Sequence, residues 1–179
     1  MKLSGSFPCD FPPEIYQKYL VDEGALAYLR EHHPEIRDVE VLEHLTQDGK
    51  IYVKMKYTME VAMPAAVKKA LGGASHSFVA DLILDTQNNT ATLEFNPARL
   101  GDKIKAGAVI VFEREGDRWR QRMEGDVTVK VFGVGKVVEK FIVEKFQHSY
   151  ALEARLRNEY LSRAEKGSMP AQSHPLDRR

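Results

Sequence analysis

Residues Arg118 to Leu161 constrain the fold more than any other part of this chain. From Arg118 to Val131 polarity alternates. Trp119, Gln121, Met123, Gly125, Val127, Val129 and Val131 share one face, and Arg118, Arg120, Arg122, Glu124, Asp126, Thr128 and Lys130 share the other. Period two over that length specifies an antiparallel strand with one wet face. At about 3.3 Å per residue it spans roughly 45 Å, too long to stay flat in one domain. Gly125 sits inside the apolar row, where it permits a sharp bend or the close approach of a neighbour. A Gly-Val-Gly joint at Gly133–Gly135 then leads into a long helical pattern. A helix that follows the last strand must cover the sheet before it. Together these segments suggest a cupped sheet gripping a helix, which is a container.

On that helix, Val134, Val137, Val138, Phe141, Ile142, Ser149, Leu152, Leu156 and Tyr160 fall on one side at about 100° per residue. Lys136, Glu139, Lys140, Gln147, Arg155 and Arg157 fall on the other side or the flanks. The stripe carries an anomaly: Phe141, Lys145, His148 and Leu152 align at i, i+4, i+7 and i+11, so two polar residues interrupt an apolar row. If the stripe lines a cavity, Lys145 neutralises an anionic head group and His148 donates a hydrogen bond. The competing reading has Lys145 snorkelling past the sheet edge and His148 as a satisfied, half-buried histidine.

The preceding sequence fills in the sheet. Met1 to Phe7 reads as a short strand stopped by Pro8. Pro12 and Pro13 open one helix, and Asp22 caps a second that ends at Pro34. A strand through Val39, Val41 and Leu45 meets a hairpin signal at Gln47-Asp48-Gly49. The following strand places Ile51, Val53, Met55, Tyr57, Met59, Val61 and Met63 on one face. Ala65 to Leu71 is a short helix closed by Gly72-Gly73. Further strands are expected at His76–Leu84, Thr90–Phe95 and Ala108–Glu115, with Asn96 to Ala106 as a loop. The tail from Ser162 to Arg179 has no apolar period and is expected to be disordered.

Composition excludes several functions. Lys+Arg and Asp+Glu are both 26, so nothing marks a nucleic-acid binder. The arginine row Arg118, Arg120 and Arg122 suits phosphates or a transient anionic membrane contact, but Glu124 and Asp126 continue it, which favours a mixed solvated face. No segment approaches the roughly 18 apolar residues of a membrane span, and the start carries no secretory pattern, so a cytoplasmic protein is expected. Cys9 is the one cysteine and reads as a small packed residue rather than a reactive thiol. The histidines show no metal-ligand spacing, and Gly133-Val134-Gly135-Lys136 lacks the spacing of a phosphate loop. No cofactor or metal is expected, and the sequence carries no sign of oligomeric state.

The order strand, two short helices, antiparallel sheet and long C-terminal helix resembles the START-like, or birch-pollen-allergen-like, helix-grip superfamily. Val127 to Leu161, with the GxxxE pattern from Gly135 to Glu139 and an acidic residue at Glu153, resembles an uncharacterised bacterial family within it. The resemblance implies an α+β fold over residues 1–161 and an apolar cavity between sheet and helix. Superfamily members bind or carry lipids, sterols and polyketides, and some are cyclases. The expected function is therefore binding or carriage of a small hydrophobic ligand. Met55, Tyr57, Trp119, Met123, Phe141 and Leu152 would line the site, and Lys145 and His148 would read a polar end. The alternatives are an enzyme of the same fold using His148 as general acid or base, and a protein-interaction module with a filled core.

Overall fold

The structure, a computed structural model, describes residues 1–73, 75–98, 101 and 103–166. One seven-stranded antiparallel sheet has the order β1-β7-β6-β5-β4-β3-β2. Strands β2 (Ile36–Gln47), β3 (Lys50–Glu60), β4 (Ser75–Asp85), β5 (Thr90–Pro97), β6 (Ile104–Glu115) and β7 (Arg118–Val129) form a meander. Strand β1 (Lys2–Cys9) pairs with β7, so β1 and β2 are the two edges. Helices α1 (Pro13–Lys18) and α2 (Glu23–His32) connect those edges, α3 (Ala65–Leu71) joins β3 to β4, and α4 (Gly135–Glu165) packs against β1, β7, α2 and α3. This is the α+β helix-grip arrangement, a curved sheet closed by a long C-terminal helix.

Local chemistry explains the joints. Asp48 and Gly49 both take positive φ (51° and 74°), the geometry that suits a two-residue hairpin between β2 and β3. Asp22 caps α2, its Oδ1 accepting from the Ala25 amide at 2.8 Å. The same oxygen accepts from the Tyr160 hydroxyl at 2.7 Å, which ties α2 to the end of α4. Gly125 pairs with Leu3 on one side and Ala108 on the other. A Cβ there would lie 2.1 Å from the Gly107 carbonyl oxygen, so close strand approach is the reason for this glycine.

Several boundaries differ from the sequence-based expectation. β1 runs through Pro8, which faces Arg120; an edge strand tolerates the missing N–H. β6 starts at Ile104, not Ala108, so the expected loop from Asn96 to Ala106 shrinks; pairing of Ile104 with Val129 overrides the weak strand preference of Ala106 and Gly107. β7 stops at Val129 instead of Val131. A register shift between Val41 and Glu43 breaks the alternation of β2, and Leu45 is left 55% exposed. α4 continues through Ser162 to Glu165; the rest of the expected tail, residues 167–179, lies outside the described residues.

The phase of α4 also departs from expectation. Val137 is 50% exposed, whereas Glu139 and Arg157, expected on the wet side, are buried. Glu139 sits in the first turns of α4 and accepts the Val129 amide at 3.0 Å and Lys136 Nζ at 2.9 Å. It thereby closes the Gly-rich joint between β7 and α4, and these bonds hold its carboxyl below the ordinary glutamate range.

Candidate ligand cavity

A cavity of ≈ 190 Å³ lies between the sheet and α4. Its sheet wall comes from inward-facing rows of β3 to β6, including Met55, Met59, Leu82, Leu93 and Ile110. Period two makes this wall: Val53, Met55, Tyr57 and Met59 are buried while Lys56 and Glu60 are exposed. The helix wall carries Phe141, Ile142, Phe146 and Tyr150. A chain of ring contacts crosses from sheet to helix. Tyr57 stacks on Phe78 at 5.2 Å, Phe78 meets Phe95 edge-on at 5.7 Å, and Phe95 meets Phe146 edge-on at 4.7 Å. Such offset and edge-on pairs are the favoured aromatic geometries.

His76 of β4 lines the cavity, and two further polar clusters each join α4 to another element. In the first, Arg157 Nε and Nη2 donate to Glu153 Oε1 at 3.0 and 2.6 Å, and the Tyr57 hydroxyl donates to the same oxygen at 3.3 Å. Burial works against the charge on Arg157, but Glu153 beside it prevails and keeps the guanidinium firmly protonated. The Tyr150 hydroxyl donates to Gln121 Oε1 at 2.7 Å, below the cavity. Burial pushes the Tyr16 phenol up to about 12 and those of Tyr57 and Tyr150 well above their ordinary range. These hydroxyls therefore stay neutral at physiological pH.

The second cluster joins α4 to the turn between α2 and β2. Lys145 Nζ donates to Glu35 Oε1 at 2.6 Å, and Ser149 Oγ lies 3.0 Å from His33 Nε2. His33 Nδ1 accepts the amides of Glu35 and Ile36, both at 3.2 Å. That nitrogen is thus unprotonated, which leaves the proton on Nε2 to be donated to Ser149. The Glu60 amide donates to the Glu35 carbonyl at 2.9 Å, so the backbone of Glu35 is held from both sides.

The eight residues singled out in sequence do not converge. Met55, Tyr57, Phe141 and Lys145 line the cavity. Met123 is 1% exposed and packs in the core outside the lining; Trp119 and Leu152 pack around the core at its margin. His148 is exposed and outside the lining; at i+7 from Phe141 it has rotated off the inward face, and Ser149 takes that place. Sequence reasoning missed Glu35, Glu153, Arg157 and Phe146. In sequence Arg157 falls off the apolar stripe, Glu153 stands out only as the acidic residue of the family pattern, and Glu35 lies in a turn with no periodic signal.

Other expectations have direct structural answers. Cys9 is fully buried, its thiol donating to the Phe11 carbonyl at 3.1 Å, and burial pushes its pKa up. Arg120 and Arg122 pair with Glu115 and Glu113 of β6 at 2.7 and 2.9 Å, which balances the basic row. Among the described residues, no three His, Cys, Asp or Glu side chains lie close enough to hold a metal, and no helix is long and apolar enough to cross a membrane.

A sheet wrapped round one long helix with an apolar hollow between them is the helix-grip fold, the fold of START-like proteins. Within that class the chain belongs to the family described as "Protein of unknown function (DUF2505)", which matches residues 5–161. No curated protein matches it. Among solved structures it is similar to the Zhui aromatase/cyclase from Streptomyces sp. R1128, with TM-score 0.63, 11% identity and 92% and 95% of the two chains covered. It is also similar to TTHA0849 from Thermus thermophilus, with TM-score 0.62, 16% identity and coverage of 92% and 99%. A START superfamily protein from Mycobacterium smegmatis gives TM-score 0.55, 20% identity and coverage of 87% and 96%. At these identities the likeness is one of fold.

Proposed function

We propose that this protein binds or carries a small hydrophobic molecule in the cavity between the sheet and α4. The observation that carries the reading is the cavity itself: ≈ 190 Å³ lined mainly by Met, Leu, Ile and Phe, with few polar groups among them. A well-packed core leaves few voids larger than a water molecule. A dry apolar cavity of about 150 Å³ accepts benzene, so this one has room for a ring system or a comparable branched chain. Mostly apolar walls with a few fixed polar groups are the usual composition of small-molecule sites. Met55, Tyr57 and Phe141 contact the apolar body, and Lys145 with its partner stands at the polar end. The likeness in fold to an aromatase/cyclase and to a START superfamily protein supports the reading.

A catalytic reading has one observation in its favour, the Tyr57–Glu153–Arg157 group at the cavity wall. His148, exposed and outside the lining, is not placed to act as its general acid or base.

Native mass spectrometry of the purified protein, followed by organic extraction, tests the binding reading. The expected result is a bound apolar molecule that is lost in Phe141→Ala. Extraction and titration with apolar probes that both yield nothing would remove its support.

A further inference from the structure

The joint between β7 and α4 does more than turn a strand into a helix. Residues 130–137 read Lys-Val-Phe-Gly-Val-Gly-Lys-Val and contain no carboxylate. Phe132 is 104% exposed, whereas no other large apolar side chain among the described residues exceeds the 55% of Leu45. At that exposure its ring packs against nothing in the chain. Val137 adds a second, half-exposed apolar side chain. The joint that presents them is well held. The Gly135 amide donates to the Val131 carbonyl at 2.9 Å, the Val138 amide to the Val134 carbonyl at 3.1 Å, and Glu139 accepts the Val129 amide at 3.0 Å. Gly133 supplies the positive φ, +76°, that the turn needs.

Cations surround this apolar tip. Lys130 and Lys136 flank Phe132, and the Lys130 amide donates to the Lys103 carbonyl at 2.7 Å, which brings Lys103 alongside. All three lysines are exposed. Lys136 pairs with Glu139, but that carboxylate is buried and the Lys136 side chain stays 85% exposed. The arginine row of β7 differs, since Glu115 and Glu113 balance Arg120 and Arg122 on the same surface. A protruding ring among lysines suits an anionic lipid surface, whose headgroups take the cations and whose acyl boundary takes the ring. A second copy of the chain suits it less, because self-pairing would set lysines against lysines. The tip also stands at one end of the cavity. Ile104, which pairs with Val129, lines it, and so does Phe141, roughly 9 Å along α4 from Gly135.

We propose that the β7–α4 joint is a reversible membrane-docking tip: Phe132 enters the headgroup–acyl boundary of an anionic lipid surface while Lys103, Lys130 and Lys136 face its headgroups. This contact stands or falls independently of what the cavity holds.

Flotation of the full chain with vesicles of phosphatidylcholine alone, and of phosphatidylcholine with about 30% phosphatidylserine, tests it at low salt. The wild type should bind the anionic vesicles, leave them as salt is raised, and bind pure phosphatidylcholine about tenfold more weakly or worse. On anionic vesicles Phe132→Ser should weaken binding by about tenfold or more, and Lys130→Gln by about fivefold. Val109→Ser, which removes a 48% exposed side chain from the solvent face of β6, should bind as the wild type does. Absence of flotation, equal binding of both vesicle types, or equal binding by wild type and Phe132→Ser overturns the proposal. A dimer in sedimentation velocity that Phe132→Ser dissociates, without flotation, gives the tip to a second copy instead. Flotation lost in Ala80→Phe, whose ring enters the cavity, but kept in Phe132→Ser traces it to lipid taken into the cavity and also overturns the tip. The cavity reading is scored separately: Phe132 is outside the lining, so Phe132→Ser should take up N-phenyl-1-naphthylamine as the wild type does.

Discussion

At the scale of single residues, burial of charge shapes this interior. Arg157 and Glu153 are an i, i+4 pair, which in sequence is indistinguishable from a solvated surface pair such as Arg155–Glu159. The difference arises from the phase of α4 against the sheet, a tertiary property. Their side chains are 8% and 16% exposed. Arg157→Met alone is expected to cost about 3–5 kcal/mol in urea denaturation, because Glu153 is left buried without its partner. Glu153→Leu combined with Arg157→Met should recover most of that loss. Additive costs of the two single substitutions would contradict a buried, mutually dependent pair. His33 gives the second residue-scale prediction. It is 2% exposed, and burial, partly offset by the negative charge of Glu153, lowers its pKa below the ordinary value. The unfolded chain takes up a proton near pH 6.5 that the folded protein refuses. Stability should therefore fall as pH drops below about 6.5 and level off below the folded-state pKa. His33→Gln should flatten that part of a stability–pH curve, and an unchanged slope would show that His33 does not titrate in this way.

Among the elements, alternation in β3 and β7 and the caps of α2 were legible because they depend on neighbours in sequence. Asp22, the Asp48-Gly49 hairpin and the inward Met55–Tyr57–Met59 row follow from spacing alone. The start of β6 was hidden because Ala106 and Gly107 favour a strand only when β5 and β7 flank them. Glu139 was hidden similarly: its role requires the Val129 amide at the end of β7. Of the residues singled out in sequence, Met55, Tyr57, Phe141 and Lys145 line the cavity; Glu35 was not legible, since the pairing that places it spans 110 residues. The β6–β7 contact makes its own prediction. Gly125→Ala places a Cβ against the Gly107 carbonyl at 2.1 Å and Ala108 Cα at 2.8 Å. It is expected to cost about 1–3 kcal/mol in urea denaturation. Gly116→Asn provides the comparison, since Gly116 has φ +63° and nothing within 4 Å, and asparagine tolerates that region. Equal costs for the two would argue against close strand approach as the reason for Gly125.

The whole molecule is organised around a space that is left open. Strands β1 and β2 form opposite edges of the sheet, α1 and α2 link them, and α4 closes the concave side. Two polar clusters fix α4 over the opening, Lys145 and Ser149 to the turn at His33–Glu35, and Glu153 and Arg157 to Tyr57 of β3. The hollow is where the Phe78–Phe95–Phe146 rings leave room between sheet and helix. Ala80, 2% exposed on β4, faces it, so a phenylalanine there has space to occupy. The most direct test of the central claim is fluorescence titration with N-phenyl-1-naphthylamine, a neutral apolar probe, on the wild type and on Ala80→Phe. Both proteins should melt cooperatively, the wild type should bind the probe saturably at one site, and Ala80→Phe should bind about tenfold more weakly or worse, a loss of roughly 1.4 kcal/mol or more. Equal binding by the two folded proteins would place the probe elsewhere and contradict the account of this cavity as the ligand site.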